Sequence, residues 1–196
     1  MRYRSTTGGY FRSGLLLILL LTGSAFAQEP GPTSKYGAVT VKVGTIGKTN
    51  AVFVGGCGGW NLDRNYGVGI AGYLLVGGVP ARTSDASGDS RMMAGYGGLE
   101  VEYLVPLDSS FQISAQALVG GGAVGFVENR YADARPHYHP FIAFEPGVNF
   151  DIALIRFFRL TFGAGYRFVG LLSSPVAGNS DMNGPTFSIS VKAGLF

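Results

Sequence analysis

The sequence predicts an all-β fold: an eight-stranded antiparallel up-and-down transmembrane β-barrel with short periplasmic turns and longer outer loops. Three observations predict it. Successive stretches alternate apolar with small or polar residues, the period of a strand with two different faces. A cleavable export signal precedes these stretches. The charged residues within them lie opposite the main apolar set, so an exported barrel in the outer membrane accounts for all three.

Residues 1–27 have the three parts of a secretory signal peptide. A basic segment with three arginines is followed by the apolar run Leu15–Leu21, and Ala25-Phe26-Ala27 forms an Ala-x-Ala cleavage site. Seven consecutive apolar residues are too few for a membrane helix, which needs about 20. We therefore expect cleavage near Ala27, a flexible leader over residues 28–35, and a barrel over residues 36–196.

Composition predicts that the mature chain is one domain with no net charge. The full chain of 196 residues has 15 basic and 12 acidic residues. The signal peptide contains three of the arginines and no acid, so the remainder has twelve of each sign. No basic patch therefore predicts binding to nucleic acid. Cys57 is the only cysteine, which excludes an internal disulfide.

Turn residues divide the barrel region into eight predicted strands. The strands are predicted over residues 36–45, 51–60, 66–77, 91–105, 111–127, 141–153, 158–170 and 184–196. Residues 61–65, 106–110 and 154–157 form short connections, whereas residues 78–90, 128–140 and 171–183 form long polar ones. Short turns on one side and long loops on the other are typical of bacterial outer-membrane barrels. Only the connection 46–50 is short where a long one is expected.

The face opposite the apolar set predicts a charged barrel interior. Strand alternation places four basic and four acidic residues there: Lys42, Glu100, Glu102, Glu145, Asp151, Arg159, Arg167 and Lys192. A basic side chain facing lipid at mid-membrane costs about 2–4 kcal/mol, so these charges should face inward and pair. For Arg167, the candidate partners are Glu100, Glu102 and Glu145. A soluble barrel with an apolar interior is the rival interpretation, and the export signal argues against it.

Aromatic residues lie beside the predicted short turns, as in the interfacial girdle of a membrane barrel. The predicted girdle consists of Trp60, Tyr66, Tyr103, Phe111, Phe150 and Phe158. A second aromatic set falls near the opposite strand ends: Phe53, Phe126, Phe141, Phe168 and Phe187.

Three glycine-rich segments resemble those of small, mostly uncharacterised bacterial outer-membrane β-barrel proteins. They are Gly55–Trp60, Gly95–Tyr103 and Gly163–Phe168. The resemblance extends over the mature chain and implies the fold rather than an activity. It also implies that a terminal aromatic residue, here Phe196, is read by the barrel-assembly machinery. One departure is that the apolar series of the last strand is out of phase with Phe196, so either a bulge lies near Gly194 or the assembly signal is weaker.

The candidate chemistry is limited to one loop. His137 and His139 would share a face of an extended segment, as metal ligands do, but no third ligand is evident. With Ser173 or Ser174 and an acid, Glu128 or Asp133, they would form the triad of a lipid-modifying enzyme, although no nucleophile motif is present.

The sequence therefore favours a non-enzymatic outer-membrane barrel with a filled polar interior. Its role would be structural, adhesive or binding, through its outer loops. We predict no cofactor and no metal, and its expected partners are outer-membrane lipid and the assembly machinery. The alternatives are a lipid-modifying enzyme and a narrow pore for small solutes.

Overall fold

Eight long antiparallel strands close into a barrel. The computed structural model describes residues 34–62, 64–77, 79–80, 90–128, 138–171 and 178–194. Each long strand pairs with its neighbour in the chain, and pairing of the first strand with the last completes the ring. The strands are β1 (Ser34–Ile46), β2 (Thr49–Asn61), β3 (Tyr66–Val76), the short β4 (Val79–Pro80), β5 (Ser90–Pro106), β6 (Phe111–Glu128), β7 (Tyr138–Ile155), β8 (Phe158–Gly170) and β9 (Gly184–Gly194).

The predicted fold class is confirmed, with small shifts at the strand ends. β7 begins at Tyr138, three residues before its predicted start, and β1 begins at Ser34, inside the predicted leader. The proposed signal peptide and the terminal Phe196 lie outside the described residues. Four connections between long strands are short. Those between β2 and β3, β5 and β6, and β7 and β8 lie together and define the short-turn end of the barrel, whereas the β1–β2 turn lies at the opposite, long-loop end.

A short helix at the long-loop end was not predicted. The helix α1 (Asn179–Met182) lies in a segment that was expected to be a polar loop. Its Met182 side chain is buried inside the barrel mouth, and the Asp181 carbonyl accepts a hydrogen bond from the Gly47 amide of the β1–β2 turn. Asn183 accepts a second bond from the Val169 amide. These tertiary contacts, which have no local sequence signal, draw the segment inward. Within the described ranges, no helix is long and apolar enough to cross a membrane.

The outward face is apolar and the inward face carries the charges. On β1, Val39, Val41 and Val43 are exposed, while Thr40 and Lys42 between them are buried. The same alternation holds along the other long strands. A closed strand system with apolar side chains outside and ion pairs inside is the arrangement of a barrel that spans a membrane.

Two short turns have clear local causes. Gly47 has a φ of 59°, a left-handed conformation that favours glycine, and it forms the turn between β1 and β2 with Lys48. Between β5 and β6, the Asp108 carboxylate accepts hydrogen bonds from the Ser110 and Phe111 amides. That aspartate turn ends one strand and starts the next.

One proline interrupts the ladder between β7 and β8. Pairing is continuous from Ile142 to Phe144 and resumes at Gly147, so the pairs at residues 145 and 146 are missing. Pro146 has no amide hydrogen, so it cannot donate the bond that its position opposite Tyr166 requires. The interruption is therefore a chemical consequence of the proline.

Candidate functional site: the barrel interior

The residues predicted to carry interior charge lie on the inward face, in two separate clusters and three outlying positions. Seven of the eight are buried, and Arg159 is half-buried. The two clusters are centred on Lys42 and Lys192.

The Lys42 cluster lies nearer the long-loop end. The Lys42 ammonium contacts the Glu145 carboxylate at 2.7 Å and lies 3.6 Å from the centre of the Tyr73 ring. Glu145 also accepts hydrogen bonds from the Tyr96 hydroxyl at 2.6 Å and the Thr186 hydroxyl at 2.9 Å. The carboxylate thus has three donors, and the lysine has a carboxylate and an aromatic face, as a stable buried pair requires.

The Lys192 cluster lies nearer the short-turn end. Lys192 donates to both carboxylate oxygens of Glu102, at 2.9 and 3.3 Å, and lies 3.8 Å from Asp151. Asp151 also accepts a hydrogen bond from the Thr161 hydroxyl. The Asn149 amide donates to Glu102, so every charge in this cluster has more than one partner.

Arg167 is bound differently from the prediction. It was expected to pair with Glu100, Glu102 or Glu145, yet its hydrogen bonds go to main-chain carbonyls, at 2.9 Å to Met182 and 2.9 Å to Thr45. Its guanidinium lies 4.8 Å from the centre of the Phe53 ring, and one terminal nitrogen, Nη1, has no hydrogen-bond partner. The reason is position: Arg167 faces the barrel mouth, where α1 brings carbonyl groups within reach. Arg167 therefore joins α1 to β1 through hydrogen bonds to a carbonyl of each.

Besides Arg167, the outlying charges are Arg159 and Glu100. Arg159 donates to the Gln112 side chain at 2.6 Å, near the short-turn end. Glu100 and Cys57 both border a polar cavity of about 10 Å³. That volume holds one water molecule at most.

Besides the Lys42 cluster and Arg167, the long-loop half of the interior contains an apolar core, which the prediction of a polar interior missed. Its core consists of Ile46, Ala51, Phe53, Ala71, Tyr73, Met92, Ala94, Tyr96, Leu118, Val124, Phe141, Ala143, Val169 and Met182. Phe53 and Phe141, which were assigned to strand ends beside the membrane surface, are buried here. Their inward phase follows from strand alternation, so a stricter use of the period would have found them. The inward phase of β5, set by Glu100 and Glu102, likewise identifies Tyr96.

Close packing between Gly55 and Tyr73 shapes the Lys42 cluster. A side-chain carbon on Gly55 would lie 2.7 Å from the Tyr73 ring and 1.9 Å from the Gly72 carbonyl. Only glycine leaves that space, so the ring can lie beneath the Lys42 ammonium.

The residues of the predicted girdle are exposed on the outward face beside the short turns. Tyr66 and Tyr103 pack with ring centres 5.2 Å apart, and Phe111 and Phe150 stack at 5.7 Å. In the second aromatic set, Phe168 and Phe187 face outward, and the side chain of Phe126 lies outside the described part of the chain.

The predicted catalytic and metal-binding candidates lie mostly beyond the described residues. His137, Asp133, Ser173 and Ser174 fall there, as does the side chain of Glu128. His139 is half-buried on β7. Across the part of the chain that the structure describes, no three His, Cys, Asp or Glu residues converge on a metal-sized site.

Solved structures of bacterial outer-membrane barrels share this fold. The chain superimposes on Neisserial surface protein A (NspA) with a TM-score of 0.59 and 8% identity, covering 86% of this chain and 99% of that one. The N-terminal β-barrel domain of Pseudomonas aeruginosa OprF gives 0.56 and 9%, covering 83% and 97%. Ail, the attachment invasion locus protein of Yersinia pestis, gives 0.51 and 9%, covering 84% and 98%. These likenesses show the fold.

No protein-family model matches the chain, and no curated protein sequence matches it. The similarity to known proteins is therefore one of fold.

Proposed function

We propose that this protein is a non-enzymatic barrel of the bacterial outer membrane that serves adhesion or envelope structure through its outer loops. The observation that carries the proposal is the filled interior. Two ion-pair clusters and an apolar core occupy it, and the described side chains leave a polar cavity of only about 10 Å³ there. A solid barrel offers its loops, rather than its lumen, to other molecules.

The orientation follows from the proposal. The short turns and both termini would lie in the periplasm, and the long loops would face outside. Cleavage near Ala27 and assembly through Phe196 are part of the same proposal. The structural neighbours include a surface protein and an attachment protein by name, and both names agree with a role at the cell surface.

The test separates the loops from the barrel. Bacteria expressing the full chain are compared with bacteria in which residues 81–89, 129–137 and 172–177 are replaced by Gly-Ser segments of equal length. Both proteins should fractionate with outer membranes and migrate heat-modifiably on gels. We expect the native chain alone to raise attachment to surfaces coated with extracellular-matrix proteins.

Two results would overturn the proposal. Equal attachment by both strains, together with equal envelope integrity in a strain lacking the protein, would remove both roles. A defined gain or loss of an acyl chain in envelope lipids, seen by mass spectrometry only when the protein is present, would establish the enzyme instead.

A further inference from the structure

A groove runs over the outward wall formed by β6, β7, β8, β9 and β1. Its volume is about 610 Å³, within the roughly 300–1,000 Å³ of small-molecule sites. It is centred at mid-height on these strands, around Val148 and Ala164, and it reaches the girdle at Phe150. No charged residue lines it.

The groove exists because a small residue lies among large ones. Ala164 on β8 pairs with Val148 on one side and Phe187 on the other. In the adjacent row, Phe162 pairs with Phe150 and Ile189, so large side chains border a floor formed by Ala164 and the Gly163 backbone. All of these large side chains are exposed on the outward face.

Position determines what reaches the groove. A wall at mid-height on a transmembrane barrel faces the hydrocarbon of the bilayer, which headgroups and unfolded peptide segments do not enter. We propose that this groove binds one hydrocarbon chain of a membrane lipid as an ordered ligand, distinct from the exchanging lipids around the rest of the barrel. The ligand class is an acyl chain, recognised by shape and dispersion contacts alone.

A second copy of the chain fits the groove less well. A stable protein interface engages about 20–30 residues on each side, whereas twelve residues line the groove. The convex wall of another barrel would also meet the Phe162 and Phe187 rims before it reached Ala164. The long strands are each paired on both sides, so no edge of the ring is open for strand pairing.

The test uses a photoreactive lipid. The full-length mature protein is reconstituted in phosphatidylcholine vesicles that contain a small fraction of phosphatidylglycerol with a diazirine midway along one acyl chain. After irradiation, peptide mass spectrometry maps the adducts. We expect adducts on the segments around Val148, Phe162 and Phe187 to exceed, several-fold, those on β3, which lies diametrically opposite β8.

Matched variants decide the outcome. Ala164→Phe fills the groove and should lower adducts there to the level on β3, and Ala164→Leu should lower them partly. Ile70→Phe places the same ring on the exposed outward face of β3, where Ile70 is 65% exposed, and should leave the groove adducts unchanged. Heat-modifiable migration shows that each variant is folded.

Three results would contradict the proposed lipid site. Even labelling around the barrel, or groove labelling that Ala164→Phe does not change, would overturn the proposal. Crosslinks between two protein chains at Ala164 would assign the groove to a second copy instead.

Discussion

Individual side chains inside the barrel are stabilised by partners of unlike kinds. Lys42 has a carboxylate and an aromatic face, Lys192 has two carboxylates, and Arg167 has main-chain carbonyls. Removing one member of such a set leaves its partners buried without compensation, which costs more than the set contributes as a whole.

Arg167→Ala should destabilise the barrel by about 3 kcal/mol or more. The change leaves the Met182 and Thr45 carbonyls without donors and opens space beside Phe53, and each unpaired group costs about 1–3 kcal/mol. Arg156→Ala removes the same side chain from an exposed turn and should change stability by less than about 0.5 kcal/mol. Urea unfolding in detergent or lipid measures both. Equal unfolding midpoints for the two variants would show that the hydrogen bonds of Arg167 do not stabilise the barrel.

Lys42→Met should also destabilise the barrel, by about 3–5 kcal/mol, because Glu145 loses its cation in a buried site. Glu145→Gln in the same chain should restore part of that loss. The coupling measured by the double-mutant cycle should lie within about 0.5–3 kcal/mol. Additive effects of the two substitutions would show that the pair is not coupled.

At the scale of the elements, the space at each strand position decides which glycines are required. Gly55 faces inward on β2 against the Tyr73 ring, whereas a side-chain carbon at Gly72 on β3 would meet no atom within 4 Å. Gly72 lies opposite Gly56, the residue next to Gly55 on the paired strand β2. Strand glycines are therefore of two kinds: some make room for a close approach, and others face open space.

Gly55→Ala should prevent normal folding, while Gly72→Ala should be tolerated. The new methyl group at position 55 would overlap the Gly72 carbonyl and the Tyr73 ring, so β2 and β3 would have to separate. At position 72 the added methyl group should be neutral or stabilise the strand by about 0.5–1 kcal/mol. The fraction of the heat-modifiable band on gels after refolding measures the difference. Comparable folded fractions would show that β2 and β3 can shift to admit the methyl group.

The whole molecule is a closed barrel whose interior is filled by its own side chains. The apolar core and the Lys42 cluster occupy the long-loop half, and the Lys192 cluster lies towards the short-turn end. The helix α1 covers the mouth, with the Met182 side chain buried beneath it. An eight-stranded barrel has an interior just wide enough for side chains to fill, and these side chains occupy it.

The purified protein should therefore show no stable conductance in planar bilayers. A bilayer with a known porin provides the positive control, and gel migration before and after recovery shows that the protein inserted folded. Uniform, reproducible single-channel steps would contradict the filled interior and favour the narrow pore.

The sequence by itself determined the barrel, because strand alternation and turn residues are local patterns. It determined the inward phase of Lys42, Glu100, Glu102, Glu145, Asp151, Arg159, Arg167 and Lys192 for the same reason. It did not determine which charges meet. Partners such as Lys42 and Glu145 are 103 residues apart in the chain, and their contact depends on the shear of the closed ring, which no local pattern encodes. The carbonyl partners of Arg167, the buried Met182 and the groove above Ala164 were likewise decided only by the tertiary structure, since each requires elements that meet only when the barrel closes.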